Sequence, residues 1–299
     1  MKKGIIIYLL GVLSCFSVSC RQPEGIIAEG ATVEMLADGF AFTEGPAVDK
    51  AGNVFFTDQP NDKIYKWSVD GKLSVFLDKT GRANGMYFDR QGGYLLSCSD
   101  MENELWSIDK EGNHTVLLTD YNGKRLNGPN DLWVHPNGGI YFTDPLYKRD
   151  YWTRDPEMQQ DGQHLYYMTP DRKTVIRVDE ELVQPNGIIG SPDGKLLYVA
   201  DIRAGKTYRY DIQADASLAN KTLFAPMGSD GMTMDERGNI YLTGKGVTVF
   251  NPAGEQIEHI AVDANWTANA CFGGKDMKTL FITASQYLYS LRMEVKGVR

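Results

Sequence analysis

The most constraining feature of this sequence is a pattern that occurs six times along its 299 residues. Each copy begins with a polar residue, continues through an alternating apolar stretch and a polar turn, and ends in a second apolar strand. Successive first residues are 40, 46, 56, 44 and 39 positions apart. This is the period of four-stranded propeller blades and not of helical repeats. The six first residues are Glu44, Asn84, Asn130, Asn186, Asp230 and Asn269.

Alternating apolar residues on both sides of a glycine-containing turn indicate β-hairpins. No sustained 3.6-residue periodicity follows the first 20 residues, so we expect few helices. Glycine, at 31 residues, exceeds its usual share and fits a chain with many tight turns. The sequence therefore predicts an all-β fold, a six-bladed β-propeller, in which residues 28–299 form one domain. The longest interval predicts an extended loop over residues 144–163, of a length typical of lids.

The first 27 residues differ from the repeats and are predicted to be a targeting segment and a leader. Lys2 and Lys3 precede an apolar run over residues 5–13, and small residues follow it up to Cys20. The run is too short to span a membrane. The pattern is typical of a lipoprotein signal peptide over residues 1–20, with lipidation at Cys20, and an ordinary signal peptide is the alternative. We expect an exported, periplasmic protein anchored in the outer membrane, with residues 21–27 as a leader.

Charge and cysteine content limit the partners of the chain. The net charge of −8 disfavours nucleic acid and anionic membrane surfaces as partners. Membrane contact is therefore expected only through the N-terminal lipid anchor. Outside the signal segment, Cys98 and Cys271 remain; they form no zinc motif, and either one disulfide or two core thiols fit. The chain also lacks a Gly-x-Ser-x-Gly elbow and a phosphate-binding loop.

The six polar first residues are predicted to form a ring, because equivalent positions of the innermost strands lie side by side along a propeller's channel. The ring holds two carboxylates, Glu44 and Asp230, and four carboxamides. Such oxygen ligands suit calcium, whereas zinc is disfavoured because no histidine or cysteine is on the ring. Two buried carboxylates would be costly without a cation. We therefore expect a divalent metal on the propeller axis.

An ordered set of short motifs connects the chain to a known family. The motifs are Phe42-Thr43-Glu44-Gly45-Pro46, Pro129-Asn130-Asp131-Leu132, Pro185-Asn186-Gly187 and Asp230-Gly231-Met232. Over residues 24–291 the chain resembles the SMP-30/gluconolactonase/LRE family, whose members are six-bladed, calcium-dependent lactonases. The resemblance implies one bound Ca²⁺, with Zn²⁺, Mg²⁺ or Mn²⁺ as alternatives. The implied ligands are Glu44, Asn130, Asn186 and Asp230.

The resemblance also implies a carboxylic ester hydrolase that opens a small sugar-type lactone. Water would attack the metal-polarised carbonyl, and Asp230, also a ligand, is the candidate base. The residues expected to contact the substrate are Asn84, Asn269, Arg125 and Tyr147. Two alternatives stay open because a fold does not decide function. One is a related esterase or phosphotriesterase, and the other is a non-catalytic propeller that binds a sugar or a protein around structural calcium.

Overall fold

The structure is a computed structural model that describes residues 25–298 together with Met1. The predicted signal segment and its lipidation position, Cys20, lie outside the described residues. The described chain forms 26 β-strands and one short 3₁₀ turn, Gln59–Asn61. None of its helical segments has the length and apolarity needed to cross a membrane. Six four-stranded antiparallel sheets confirm the all-β, six-bladed β-propeller.

The strands of each blade follow one another in the chain, from the channel outward. Blades 1 and 2 comprise β2 Thr43–Val48, β3 Val54–Asp58, β4 Lys63–Trp67 and β5 Leu73–Asp78, then β6 Ala83–Phe88, β7 Leu95–Ser99, β8 Glu104–Ile108 and β9 His114–Leu118. Blade 3 follows a small hairpin, β10 Asp120–Tyr121 and β11 Lys124–Arg125, and comprises β12 Leu132–Val134, β13 Ile140–Asp144, β14 His164–Met168 and β15 Val175–Asp179.

Blades 4 to 6 repeat this order, with one exception at the end of the ring. Their strands are β16 Pro185–Gly190, β17 Leu196–Asp201, β18 Lys206–Ile212 and β19 Leu218–Ala225; β20 Met232–Met234, β21 Ile240–Gly244, β22 Gly246–Phe250 and β23 Gln256–Ile260; and β24 Thr267–Gly273, β25 Thr279–Ala284 and β26 Tyr287–Arg292. The fourth strand of blade 6 comes from the other end of the chain: β1, Glu34–Ala37, pairs with β26. Backbone hydrogen bonds between the two chain ends therefore close the ring.

The second strand of each blade is buried on both faces because a neighbouring blade packs on each side. Ile140, Tyr141 and Phe142 are each at most 1% exposed, and the matching strand of blade 5 is equally buried. Their near-continuous apolar sequences reflect this two-sided burial. The free thiols of Cys98 and Cys271 are also buried, so the two cysteines are core residues and form no disulfide.

Most first-to-second-strand turns have a sequence that dictates their geometry. In Asp49–Asn53, the Gly52 amide donates to the Asp49 carbonyl at 3.1 Å and the Asp49 amide donates to the Asn53 carbonyl at 3.0 Å. Gly52 has a φ of 92°, which a side chain would strain. These turns lie at one end of the channel, which we call the turn end. The polar first residues lie at the other end, which we call the mouth.

The turn end is covered by the end of the described chain. The Glu236 amide donates to the Lys296 carbonyl at 2.7 Å, and the Val298 amide donates to the Met234 carbonyl at 3.1 Å. On the same side of the fold, Ile26 is buried and Ile27 bridges to Met293, so these two leader residues pack on blade 6. These contacts cover part of the turn end, where a pocket of about 110 Å³ remains beside Ala47, Phe88 and Val298.

Candidate functional site

Five of the six ring residues are buried at the mouth, where the inner strands begin. Asp230, the sixth, keeps part of its surface open to a pocket. The buried ones are Glu44, Asn84, Asn130, Asn186 and Asn269. The ring geometry that the repeat predicted is thus present at the channel mouth.

Glycine follows four of the six ring residues because adjacent inner strands nearly touch there. A Cβ on Gly45 would lie 1.9 Å from the carbonyl oxygen of Asn84, and one on Gly187 would lie 2.8 Å from that of Asp230. In blade 3 this position carries Asp131 instead. Its side chain extends into the channel, where the Asn269 amide donates to it across the ring at 3.5 Å.

A pocket of about 250 Å³ opens at the mouth. Its polar lining combines predicted and unpredicted residues, together with Phe42 and Ile202. The predicted ones are Glu44, Asn84, Asn130, Tyr147 and Asp230, and the others are Gln59, Arg149 and Trp266. Asn186 joins the group from beneath, since its amide nitrogen donates to both Asp230 and the Tyr147 hydroxyl at 2.9 Å.

The two remaining predicted contact residues lie elsewhere. Asn269 is deeper in the channel, beside Asp131. Arg125 lies on β11, where its backbone amide donates to Gln159 at 2.9 Å, and it is not among the residues that line the pocket. The structure therefore gathers Tyr147 with the ring residues and separates Arg125 from them.

Asp230 is held by two donors in a fixed orientation. The Trp266 indole donates to Oδ2 at 2.6 Å, and Asn186 donates to Oδ1. Burial raises the pKa of Asp230 to about 6, and these hydrogen bonds oppose the rise. Burial thus makes this carboxylate more basic than an exposed aspartate, and the two donors fix its direction.

Glu44 and Asp131 add two further buried carboxyl groups. Burial first, and then the charge of Asp230, raise the pKa of Glu44 well above its usual range, although the Gly45 amide donates to it at 2.8 Å. Burial also raises the pKa of Asp131 to about 7. Neither Glu44 nor Asp230 is salt-bridged to a basic side chain in the described part of the chain. The mouth therefore gathers buried carboxyl groups whose ionised forms are not stabilised by a salt bridge within the described residues.

The donor set fits a hard divalent cation. Oδ1 of Asn186 is buried and has no hydrogen-bond partner, which leaves an amide oxygen available beside Asp230. Two carboxylates and amide oxygens are the ligands that calcium prefers. Within residues 25–298, no three histidine, cysteine, aspartate or glutamate side chains group as a metal site. A cation at the mouth would thus depend on the amides of Asn130 and Asn186 as well as the carboxylates.

Sequence reasoning assigned no site role to Trp266, Arg149 or Asp131, although the long loop that carries Arg149 was expected near the mouth. Trp266 and Arg149 lie outside the strand register that identified the ring, on segments that precede β24 and follow β13. Asp131 carried a usable signal, since it replaces the glycine that follows the ring residue in four blades. The repeat therefore locates groups on the inner strands and not groups brought in by loops.

Comparison with known proteins adds an independent finding. The family described as SMP-30/Gluconolactonase/LRE-like region matches residues 42–286. A gluconolactonase from Zymomonas mobilis is 27% identical over 303 residues, which cover 92% of this chain and 85% of that protein.

Solved structures give the same result for the fold. A gluconolactonase from Xanthomonas campestris superimposes with a TM-score of 0.82 at 30% identity, over 90% of this chain and 91% of the other. A calcium-binding regucalcin from Agrobacterium tumefaciens superimposes with a TM-score of 0.73 at 21% identity, over 88% and 94% of the two chains. At that identity the second likeness concerns the fold alone.

Proposed function

The chain belongs to the SMP-30/gluconolactonase/LRE-like family, and we propose that it is a metal-dependent hydrolase that opens a small sugar-type lactone. Gluconolactonase relatives support a lactonase-type function. The observation that carries the finer proposal is the mouth pocket, where Glu44, Asp230 and the unpartnered amide oxygen of Asn186 converge without a basic partner. The reaction class is carboxylic ester hydrolysis.

The residues that would hold the cation are Glu44, Asn130, Asn186 and Asp230. Calcium suits this oxygen set best, and Mg²⁺, Mn²⁺ and Zn²⁺ are alternatives. When bound, such a cation supplies Lewis acidity to the lactone carbonyl and charge stabilisation to the oxyanion.

The protein's own groups would manage the proton and the orientation of the substrate. Asp230 accepts a proton from water as the water oxygen adds to the carbonyl carbon. Trp266 and Asn186 hold the carboxylate in one orientation, which fixes the direction of proton transfer. The ring C–O bond then breaks, the ring oxygen leaves with the proton as a hydroxyl, and the product is a hydroxy acid.

Tyr147 would act as a neutral phenol at this site. Burial and the charge of Asp230 raise its pKa to about 12. Its hydroxyl already accepts a hydrogen bond from Asn186, so its own proton is available to a substrate oxygen. We assign substrate contact to Tyr147 and Asn84 on the pocket wall, whereas Asn269 and Arg125 would act from a greater distance.

A lactone panel tests the proposal. We expect the calcium-loaded protein to hydrolyse D-glucono-1,5-lactone, to lose the activity with chelator, and to lose it in Asp230→Asn. Asp49→Asn, at the turn end, is the matched control and should keep the activity. Paraoxon in the same panel tests phosphotriesterase chemistry. A folded, calcium-loaded protein that hydrolyses no lactone would overturn the proposal and favour a binding propeller.

We also propose that the chain is an exported lipoprotein, on the strength of Lys2, Lys3, the apolar run and Cys20. The lipid would be its sole membrane contact, and the periplasmic face of the outer membrane its location. The mass of the N-terminal peptide from membrane extracts tests this. An unmodified Cys20, or an N-terminus other than Cys20, would contradict it.

A further inference from the structure

An aspartate ends or directly follows the second strand in four of the six blades. All four are buried, at most 4% exposed, although they belong to the most polar residue class. They are Asp58, Asp100, Asp144 and Asp201. Asp58, Asp144 and Asp201 each pair with the first residue of the third strand of their blade, whereas in blade 2 that position is Ser99 and Asp100 lies one residue beyond it.

Three of the four perform the same structural task. Each carboxylate accepts two backbone amides from the segment that leads into its own blade, at distances between 2.8 and 3.1 Å. The pairs are Ala41 and Phe42 for Asp58, Asn127 and Gly128 for Asp144, and Val183 and Gln184 for Asp201. These bonds satisfy buried backbone donors and fix the entry of the chain into the blade.

Asp100 does not perform this task. In blade 2 one of the corresponding amides, that of Arg82, is accepted at 2.6 Å by Asp62 of the preceding blade, which also accepts the amide of Thr80 at 2.9 Å. The Asp100 carboxylate, one residue past the position of the other three, is not used for this task. Oδ2 accepts instead from Arg149 Nε at 2.9 Å and from the Tyr151 hydroxyl at 2.5 Å.

Both of these donors belong to the β13–β14 connection, residues 145–163, which we call the lid segment. The equivalent connections of blades 1, 2 and 4 span four residues each, 59–62, 100–103 and 202–205. The Trp152 indole of the lid segment also donates to the Asp100 carbonyl at 3.0 Å. Asp100 therefore anchors the long lid segment of blade 3 onto blade 2, across the mouth.

The anchor places one cation in the pocket. Arg149 lines the pocket with Glu44 and Asp230, and its side chain is 27% exposed. Among the described residues its hydrogen bonds use Nε alone, so the N–H groups of Nη1 and Nη2 remain for a ligand. Its guanidinium also lies 5.3 Å from the Tyr147 ring, which limits its movement.

We propose that Arg149 is the specificity-determining residue of the pocket, that it binds the hydroxyl oxygens of a polyhydroxylated lactone, and that Asp100 is its positioning residue. This inference rests on the lactonase function proposed above. Asp100 balances the charge of Arg149, and two further carboxylates lie on the pocket wall. An anionic substituent of the substrate would thus meet no net positive charge in the pocket. A neutral hydroxyl would accept a hydrogen bond from the charged guanidinium without being repelled by the neighbouring carboxylates.

Two lactones that share a ring and differ in hydroxylation separate this role from general damage. We would compare D-glucono-1,5-lactone with δ-valerolactone in the wild type and in Arg149→Met, which keeps the length of the side chain. We expect kcat/KM for the hydroxylated lactone to fall about 10-fold or more, through KM, because a charged hydrogen bond is lost. The value for δ-valerolactone should change less than about 2-fold, since it has no hydroxyl to bind.

Three further variants test the positioning role. Asp100→Asn should shift the ratio of the two kcat/KM values in the same direction by a smaller factor. Asp201→Asn, at one of the three aspartates that accept backbone amides, should lower the melting temperature and leave the ratio unchanged. Lys148 is beside Arg149 but is exposed and paired with Glu157. Lys148→Met should therefore leave the melting temperature and the ratio unchanged. Equal losses on both lactones in Arg149→Met, or a ratio that Asp100→Asn does not move, would overturn the inference.

A binding measurement distinguishes failure of this inference from failure of the proposed function. The probe is 1,5-anhydro-D-glucitol, which has the same ring and hydroxyls without the carbonyl, measured by calorimetry. Weaker binding in Arg149→Met supports the role of Arg149 even if the wild type hydrolyses no lactone, in which case the lactonase proposal alone fails. Equal binding in both proteins, or none in the wild type, overturns the inference.

Discussion

Both ends of the channel carry acidic side chains, but these side chains accept more hydrogen bonds from the local chain at the turn end than at the mouth. Glu44 and Asp49 lie five positions apart around one strand, as do Asp230 and Asp235. At the turn end, Asp235 accepts from the amides of Arg237 and Asn239, the Asn239 side chain and the Tyr241 hydroxyl. At the mouth, Glu44 accepts a hydrogen bond from the amide of Gly45, its neighbour in the chain.

The difference follows from what the local chain supplies. A turn of the form Asp-x-x-Gly-Asn folds its own amides back onto the aspartate, so the carboxylate completes the turn. At the mouth the inner strands carry an irregularity at the ring residue, as between Glu44 and Ala47, but no turn folds back to deliver amides to the ring. An acidic residue at the turn end is therefore structural, whereas one at the mouth is left with unused acceptor capacity for a cation or a substrate.

The largest expected effect concerns activity at the mouth. Glu44→Gln and Asp230→Asn should each lower kcat/KM for D-glucono-1,5-lactone by about 10²-fold or more, because Glu44 is a proposed ligand of the cation and Asp230 is the proposed general base, a role that alone contributes that much. Neither should lower the melting temperature in chelator, since each removes a buried charge that lacks a basic partner. Steady-state assays and thermal unfolding measure the two quantities. A variant that is destabilised but fully active would contradict the view that acidic residues at the mouth serve function and those at the turn end serve structure.

Calcium binding should stabilise the folded protein, and this gain should depend on the residues of the mouth. At a calcium concentration of 100 times Kd, we expect the free energy of unfolding to rise by about 2.7 kcal/mol. Glu44→Gln should abolish this gain, and Asp49→Asn should retain it. Denaturant titrations with and without calcium provide the measurement. An equal gain in Glu44→Gln would place the cation away from the ring.

The third prediction concerns the turn end. Asp235→Ala should lower the free energy of unfolding by about 2 kcal/mol, because several buried donors lose their acceptor at once. The kcat/KM of the folded fraction should stay within about 2-fold of the wild type, since the residue is at the opposite end of the channel. Urea unfolding followed by an assay at low temperature tests both parts. A selective loss of kcat at full stability would contradict the assignment.

The smallest effect is expected at the half-buried turn of blade 1. Asp49 accepts from the amides of Ala51 and Asn53 at 3.0 and 2.8 Å, and water can replace it there more easily than at Asp235. Asp49→Ala should therefore lower the free energy of unfolding by about 1 kcal/mol or less. If Asp49→Ala destabilised the protein more than Asp235→Ala, burial of the aspartate would not explain how much each turn contributes to stability.

Much of the fold was predictable because the blades repeat. The register that aligned six turns also aligned Glu44, Asn186 and Asp230, since residues at equal distances before equivalent turns meet at one height in the channel. The closing strand β1 was not predicted, because it pairs with a strand at the other end of the chain and its sequence belongs to no repeat copy.

The candidate site was predictable only in part, for the same reason. Arg149 and Asp100 come together through a loop of unique length, and no period places a loop residue. Arg125 showed the converse: it is close in sequence to Asn130, yet β11 and the lid segment hold it outside the pocket lining. Proximity in sequence outside the strands therefore carried little information about proximity at the mouth.

The strand exchange that closes the ring also sets the order in which the site is completed during synthesis. Glu44 leaves the ribosome early, Asp230 late, and the indole of Trp266 later still. The partner of β1, Tyr287–Arg292, follows all of them. Pairing between chain ends is slow, non-local contact formation. A nascent chain thus carries its carboxylates long before it can orient them, and a chain truncated before residue 287 would lack both closure and a finished site.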